Sequence, residues 1–239
     1  MRTSGLLGGG LVVALIVALA GIGLVDVLTI NELPNHERDR VFADFSSPRL
    51  DVTNDGTPLT VLDTGRNASE LAVVGSELTH GRPEQSNAAG YLEARMTAPV
   101  SRIGAVAEFH SAKSGAIGLV SSSDSIADDS GTGVRAQLPS SGILFAATNR
   151  RWHFSVWDSA AQRQQVLLHG TLALPDDGTG HAFEVVRYGD VVTIRLPDGT
   201  MHATTDSRIA QWTGPWAYWQ LYELDAEEVP ATLTAVWGS

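Results

Sequence analysis

From Val41 onward the chain alternates instead of spiralling. Short runs of apolar and β-branched residues recur with every second side chain polar, cut apart by clusters of Gly, Pro, Asp and Ser, and no run carries an amphipathic helical stripe. Strand side chains point to opposite faces in turn, so each run can bury one face and wet the other. The segments predicted as strands are Val41–Phe45, Leu59–Leu62, Leu71–Leu78, Gly90–Met96, Ile103–Phe109, Ala116–Ser121, Val134–Leu138 and Ile143–Thr148. They continue with Arg151–Trp157, Gln165–Leu168, Ala182–Tyr188, Val191–Leu196, Met201–Thr204, Trp216–Glu223 and Thr232–Trp237. So many short strands in one domain must close on each other as a two-sheet sandwich or a barrel. Arg187–Asp190 (RYGD) and Pro197–Thr200 (PDGT) read as tight hairpin turns.

Two strands are unusually aromatic. In Trp216–Glu223, alternation groups Ala217, Trp219 and Leu221 on one face and Trp216, Tyr218, Gln220 and Tyr222 on the other. In Arg151–Trp157, Trp152, Phe154 and Val156 form a core face, and Arg151, His153, Ser155 and Trp157 the opposite one. Rings with polar tips beside Arg, His and Gln suit a wet, amphipathic ligand such as a sugar. The ligand-binding candidates are Arg151, His153, Trp157, Tyr218, Gln220 and Tyr222, with Trp157 and Tyr218 as stacking platforms. The competing reading is that these faces fill a core or meet only solvent.

The pattern also resembles a known family. Thr57–Gly65 (TPLTVLDTG) and Leu71–Leu78 (LAVVGSEL) resemble the opening strands of concanavalin A-like lectin/glucanase domains. His181–Gly199 resembles their central hairpin, and the aromatic strand followed by Ala231–Trp237 (ATLTAVW) resembles their closing pair. The resemblance implies an all-β, two-sheet antiparallel β-sandwich, a jelly roll, over residues 41–239. Glu223–Glu227 (ELDAE) further resembles the Glu-x-Asp-x-Glu signature of laminarinase-type glycoside hydrolases of this fold. That resemblance would make Glu223 the nucleophile, Glu227 the acid/base and Asp225 their electrostatic neighbour. In that family the motif sits mid-chain, whereas here it lies close to the last residue, Ser239, which argues for a strand end and an acidic turn. Both glutamates are then expected to be exposed and dispensable.

Other chemistry has weaker support. The loop Ser121–Gly133 holds Asp124, Asp128 and Asp129, carboxylates that would attract a hard cation such as calcium, although their spacing fits no EF-hand. The seven histidines form neither a His-x-His nor a His-Glu-x-x-His spacing, so no catalytic zinc motif is legible. There is no nucleophile elbow and no phosphate-binding glycine loop in the strand-forming region. No metal or other cofactor is therefore expected.

The first residues set the location. From Gly5 to Val25 nothing is charged, and Arg2 precedes that run while Asp26 and Glu32 follow it. At about 1.5 Å per helical residue the run reaches roughly 30 Å, a bilayer core. Residues 1–30 are predicted to be a single transmembrane helix with a cytoplasmic N-terminus, and 31–40 a stalk. Cleavage after Ala18-Leu-Ala20, releasing a secreted domain, is the alternative. A net charge of −11 excludes nucleic acid as a natural partner. The absence of cysteine excludes disulfides and a lipoprotein anchor, and the Arg-over-Lys bias, with Lys113 the one lysine, indicates a GC-rich bacterial genome. The expectation is a membrane-anchored, extracytoplasmic recognition domain for cell-envelope glycan. A glycoside hydrolase and an accessory subunit binding another envelope protein are its rivals.

Overall fold

The computed structural model describes residues 41–46, 58–63, 71–80, 89–127, 140–158, 163–223 and 228–239. The predicted anchor, the stalk and the strand expected at Val134–Leu138 lie outside the described residues. Among the described residues no helix is long and apolar enough to cross a membrane.

In chain order the strands begin β1 (Val41–Ala43), β2 (Leu59–Asp63), β3 (Leu71–Val74), β4 (Glu77–His80) and β5 (Ala89–Arg95). Then come β6 (Arg102–Glu108), β7 (Ala116–Ser122), β8 (Ser141–Ala147), β9 (Arg151–Asp158) and β10 (Arg163–Thr171). The last are β11 (His181–Tyr188), β12 (Val191–Arg195), β13 (Met201–Thr205), helix α1 (Ser207–Trp212), β14 (Trp216–Tyr222) and β15 (Thr232–Gly238). They form two antiparallel sheets. One runs β13-β12-β11-β6-β15-β4-β3, with β1 also on β15; the other runs β10-β9-β8-β7-β14-β5-β2. The fold is thus the two-sheet antiparallel sandwich expected.

The predicted strands within the described residues fall where expected, with end shifts of one to three residues, except at Leu71–Leu78. That run is a hairpin, β3 and β4, because Gly75 and Ser76 both turn left-handed (φ +61° and +71°) and fold the strand back on itself. The six-residue α1 is also new, capped by the Asp206 side chain accepting from the Arg208 amide. The two predicted turns are present. Gly189 supplies φ +57° in one; in the other, Gly199 supplies φ +83° and Asp198 accepts from the Thr200 amide and hydroxyl. In β10 the pairing with β9 slips between Val166 and Leu168, a bulge in an edge strand.

Alternate residues of both sheets meet between them. Phe145 and Trp152 from the seven-stranded sheet stack at 6.1 Å, Phe145 meets Phe183 of the other sheet at 5.8 Å, and Phe183 meets Phe109 edge-on at 6.5 Å. Trp219, wholly buried in β14, sends its indole N–H across the core to the Gly104 carbonyl of β6 at 2.9 Å. On the far side of Gly104 lies the Trp237 indole, whose N–H donates to the Glu184 carboxylate at 2.9 Å, and Glu184 pairs with Arg102. A Cβ at position 104 would land inside the Trp237 ring.

Two predictions follow from this packing. Gly104→Ala should cost about 1–3 kcal/mol or more by forcing Trp237 off its seat, read as a lowered midpoint in urea unfolding. The second concerns His80, buried between the sheets, whose imidazole is pushed down from 6.5 to about 4 by burial against an opposing contact with the Leu221 backbone. The folded state therefore keeps the ring neutral, while the unfolded chain takes up the proton near pH 6.5. Its contribution is complete above that pH and is lost as pH falls toward about 4, roughly 3 kcal/mol in all. His80→Asn should flatten this part of the stability curve, measured by denaturant melts across the interval.

Candidate functional site

The inner face of β14 is as expected: Ala217, Trp219 and Leu221 are fully buried in the core, as are Trp152, Phe154 and Val156 of β9. The opposite residues of both strands share the outer face of the seven-stranded sheet, and the register between β14, β7, β8 and β9 orders them in rows. One row runs Glu93, Tyr218, Val120, Leu144, Ser155. The next runs Tyr91, Gln220, Gly118, Ala146, His153, and ends at His169 on β10. All six candidate ligand-binding residues thus lie on one sheet face, but they do not share one environment.

Tyr218 is 1% exposed and Trp157 7% exposed. They form a second small core with Leu62, Val120 and Ile126. The segment Ser123–Ala127 is bonded down onto this half of the face. The Tyr218 hydroxyl donates to the Asp124 carbonyl at 2.7 Å and accepts from the Ile126 amide at 3.1 Å. The Ser125 hydroxyl donates to the buried Glu93 carboxylate at 2.8 Å. Burial, aided by Glu93 nearby, drives the Tyr218 phenol far above its ordinary range, so it stays protonated. The expected stacking platforms are therefore corrected: both rings are structural, because a loop covers the face on which alternation placed them.

The other half is less buried. Gln220 and Tyr222 on β14 and Tyr91 on β5 stand at one side, His153 and Arg151 on β9 at the other, all partly or fully exposed. Between them lie only Gly118 and Ala146. Three strand spacings separate Gln220 from His153, roughly 14 Å; Gly118 is buried beneath the Gln220 side chain, and Ala146 is half-buried next to His153. The Gln220 amide lies over Gly118 and donates to the Tyr91 hydroxyl at 3.1 Å. That bond leaves the Tyr91 O–H to donate and the Gln220 carbonyl to accept. Burial, and then the Arg151 charge, lowers the His153 imidazole, which keeps it neutral and able both to donate and to accept. Tyr91, Gly118 and Ala146 were missed in the sequence. Tyr91 sits on the polar face of a predicted strand, but only pairing shows that it meets Gln220.

The carboxylate candidates separate. Glu223 is 1% exposed, so the exposed position expected for it is corrected: it follows the parity of Leu221 into the interior at the end of β14. Asp225 and Glu227 lie outside the described residues. Asp124 accepts from the Ser140 amide at 2.8 Å and from the Ser123 and Ser140 hydroxyls at 3.1 Å, so its carboxylate ties a turn together. Asp128 and Asp129 lie outside the described residues. A separate cleft opens where α1 meets β9 and β10, lined by Asp158, Arg163, Gln165, Arg208 and Trp212. There Arg208 packs over the Trp212 ring at 5.7 Å and holds the Asp206 carboxyl down at about 2.

The fold is that of concanavalin A-like lectin/glucanase domains. The chain is similar to the exoplasmic/lumenal domain of VIP36, solved in a Ca2+/Man2-bound form, with TM-score 0.55 and 11% identity over 80% of this chain and 84% of that one. It is similar to the Bacillus licheniformis β-glucanase, with TM-score 0.53 and 10% identity over 83% and 96% of the two chains. A third similar structure is the CBM2 module of the evolved Dit of Lactobacillus casei phage J-1, with TM-score 0.52 and 14% identity over 84% and 94%. No protein-family model matches the sequence, and no curated protein matches it.

If Tyr218 is structural, Tyr218→Ala should cost about 3–5 kcal/mol. Tyr218→Phe, which strands the Ile126 amide, should cost about 1–3 kcal/mol. Thermal melts of both variants beside wild type check the order.

Proposed function

We propose that the chain is a glycan-recognition domain that works at the cell envelope, with its ligand lying on the outer sheet face between Tyr91/Gln220 and His153. The observation that carries this reading is the division of the outer face. One half is covered by its own loop, while the adjoining half presents partly exposed hydroxyl, amide and imidazole groups in one row. Sugar hydroxyls both donate and accept, and Tyr91, Gln220 and neutral His153 offer both. Tyr222 supplies apolar surface at the same site. The similar structures support the reading, since a β-glucanase and a Man2-bound lectin domain share this fold. The uncharged run Gly5–Val25 supports tethering at the membrane, with the sandwich outside the cell.

The test is retention of the purified chain on a panel of envelope polysaccharides and glucans, with Gln220→Ala, His153→Ala and Gly118→Val beside wild type. Each variant should weaken binding by about 1–3 kcal/mol, with melting midpoints of the first two within about 0.5 kcal/mol of wild type. Retention unchanged in all three variants overturns the site. Release of reducing sugar would show a hydrolase instead, and capture of a purified envelope protein without any glycan retention would show an accessory subunit. Tethering is checked separately by fractionating cells: the chain should stay with membranes after a high-salt wash, and a soluble product starting at Gly21 would refute it.

A further inference from the structure

We propose that the eight-stranded sheet carries, on its outer face, a site for a divalent transition metal built from Glu77, Glu108 and His110, with zinc the ion its donors suit best. One ligand atom from each of these residues lies within 4.8 Å of the other two. Glu108 and His110 are two apart along an extended stretch and so share a face. Glu77 opens β4, and β15, between β4 and β6, sets Thr232 opposite Glu108. All three side chains are half-buried.

Three features make this more than a chance meeting. First, two carboxylates converge, and among the described residues neither pairs with an arginine or lysine. Burial, and then Glu77, pushes the Glu108 carboxyl up, with His110 opposing. A dication would relieve that repulsion. Second, the His110 ring is positioned by its Nε2, 3.4 Å from the Thr232 hydroxyl, which leaves Nδ1 as the nitrogen to ligate. Third, Gly178, at φ +74°, brings bare backbone up to this corner. A Cβ there would sit 3.1 Å from His110 Nδ1 and 3.9 Å from Glu108 Oε2, so both atoms border one space that a side chain would crowd. One imidazole nitrogen with two carboxylate oxygens is a donor set for zinc and its neighbours. Calcium prefers six to eight oxygens.

The experiment is calorimetric titration of the full-length chain in detergent with zinc chloride, and separately with calcium chloride, plus thermal melts with and without zinc. Saturable one-to-one zinc binding and a raised melting midpoint are expected. Glu108→Gln and His110→Gln should each weaken zinc binding by about tenfold or more. Without metal, Glu108→Gln should melt at or above wild type, because it removes the repulsion with Glu77; a purely structural role for Glu108 would lower it. Absence of saturable zinc binding, a zinc response that survives in the double variant, or tighter binding of calcium than of zinc would each overturn the proposal.

Discussion

The indole N–H of Trp219 reaches out of one sheet to the Gly104 carbonyl of the other, and the two layers are registered by that bond. A buried indole must find an acceptor, since leaving its N–H unpaired costs about 1–3 kcal/mol. The acceptor it finds lies on the one residue of β6 that can also seat Trp237 on its opposite side. Glycine is required there for space rather than for backbone freedom. Through Trp237 the chain of contacts continues to Glu184 and Arg102, so a polar network on the outside of one sheet is tied to a core position of the other. The spacing between layers, and with it the aromatic column from Trp152 to Phe109, depends on this arrangement.

The same strand that crosses the core with Trp219 presents its other side to the outer face. There the determining event is local. After β7, the segment Ser123–Ala127 folds back and satisfies its backbone with the Tyr218 hydroxyl. Tyr218 thereby ceases to be surface and becomes the floor of a secondary core. The less buried face begins one row away, at Gln220. A covered row and a partly exposed row thus lie side by side on one sheet.

Much of the architecture was legible from alternation alone. Strand positions, the Gly189 and Gly199 turns and the inner faces of β9 and β14 all follow from side-chain parity, which a sheet enforces. Parity does not say whether a face is covered. Tyr218 and Gln220 are indistinguishable by pattern, and only the loop 92 residues away in sequence separates them. Likewise Tyr91 meets Gln220 across 129 residues, a separation at which no local signal operates. The Glu77–Glu108–His110 cluster was invisible to a search for contiguous histidine motifs because β4 and the end of β6, held together by β15, assemble it. The β3–β4 turn was readable in Gly75-Ser76, but the apolar residues on either side, Leu71–Val74 and Leu78, read as one strand.

The bulge at Val166–Leu168 has a consequence for how the molecule meets others of its kind. Among the described residues β10 ends the seven-stranded sheet, so its outward N–H and C=O groups face no further strand there. A straight ladder invites another strand, and continuous stacking of sheets follows readily. Here the ladder loses its register midway and its start is decorated by Arg163, Gln164 and Gln165, all exposed. An incoming strand could match only a few rungs before falling out of step. Crowded molecules can therefore stand side by side without polymerising through their edges.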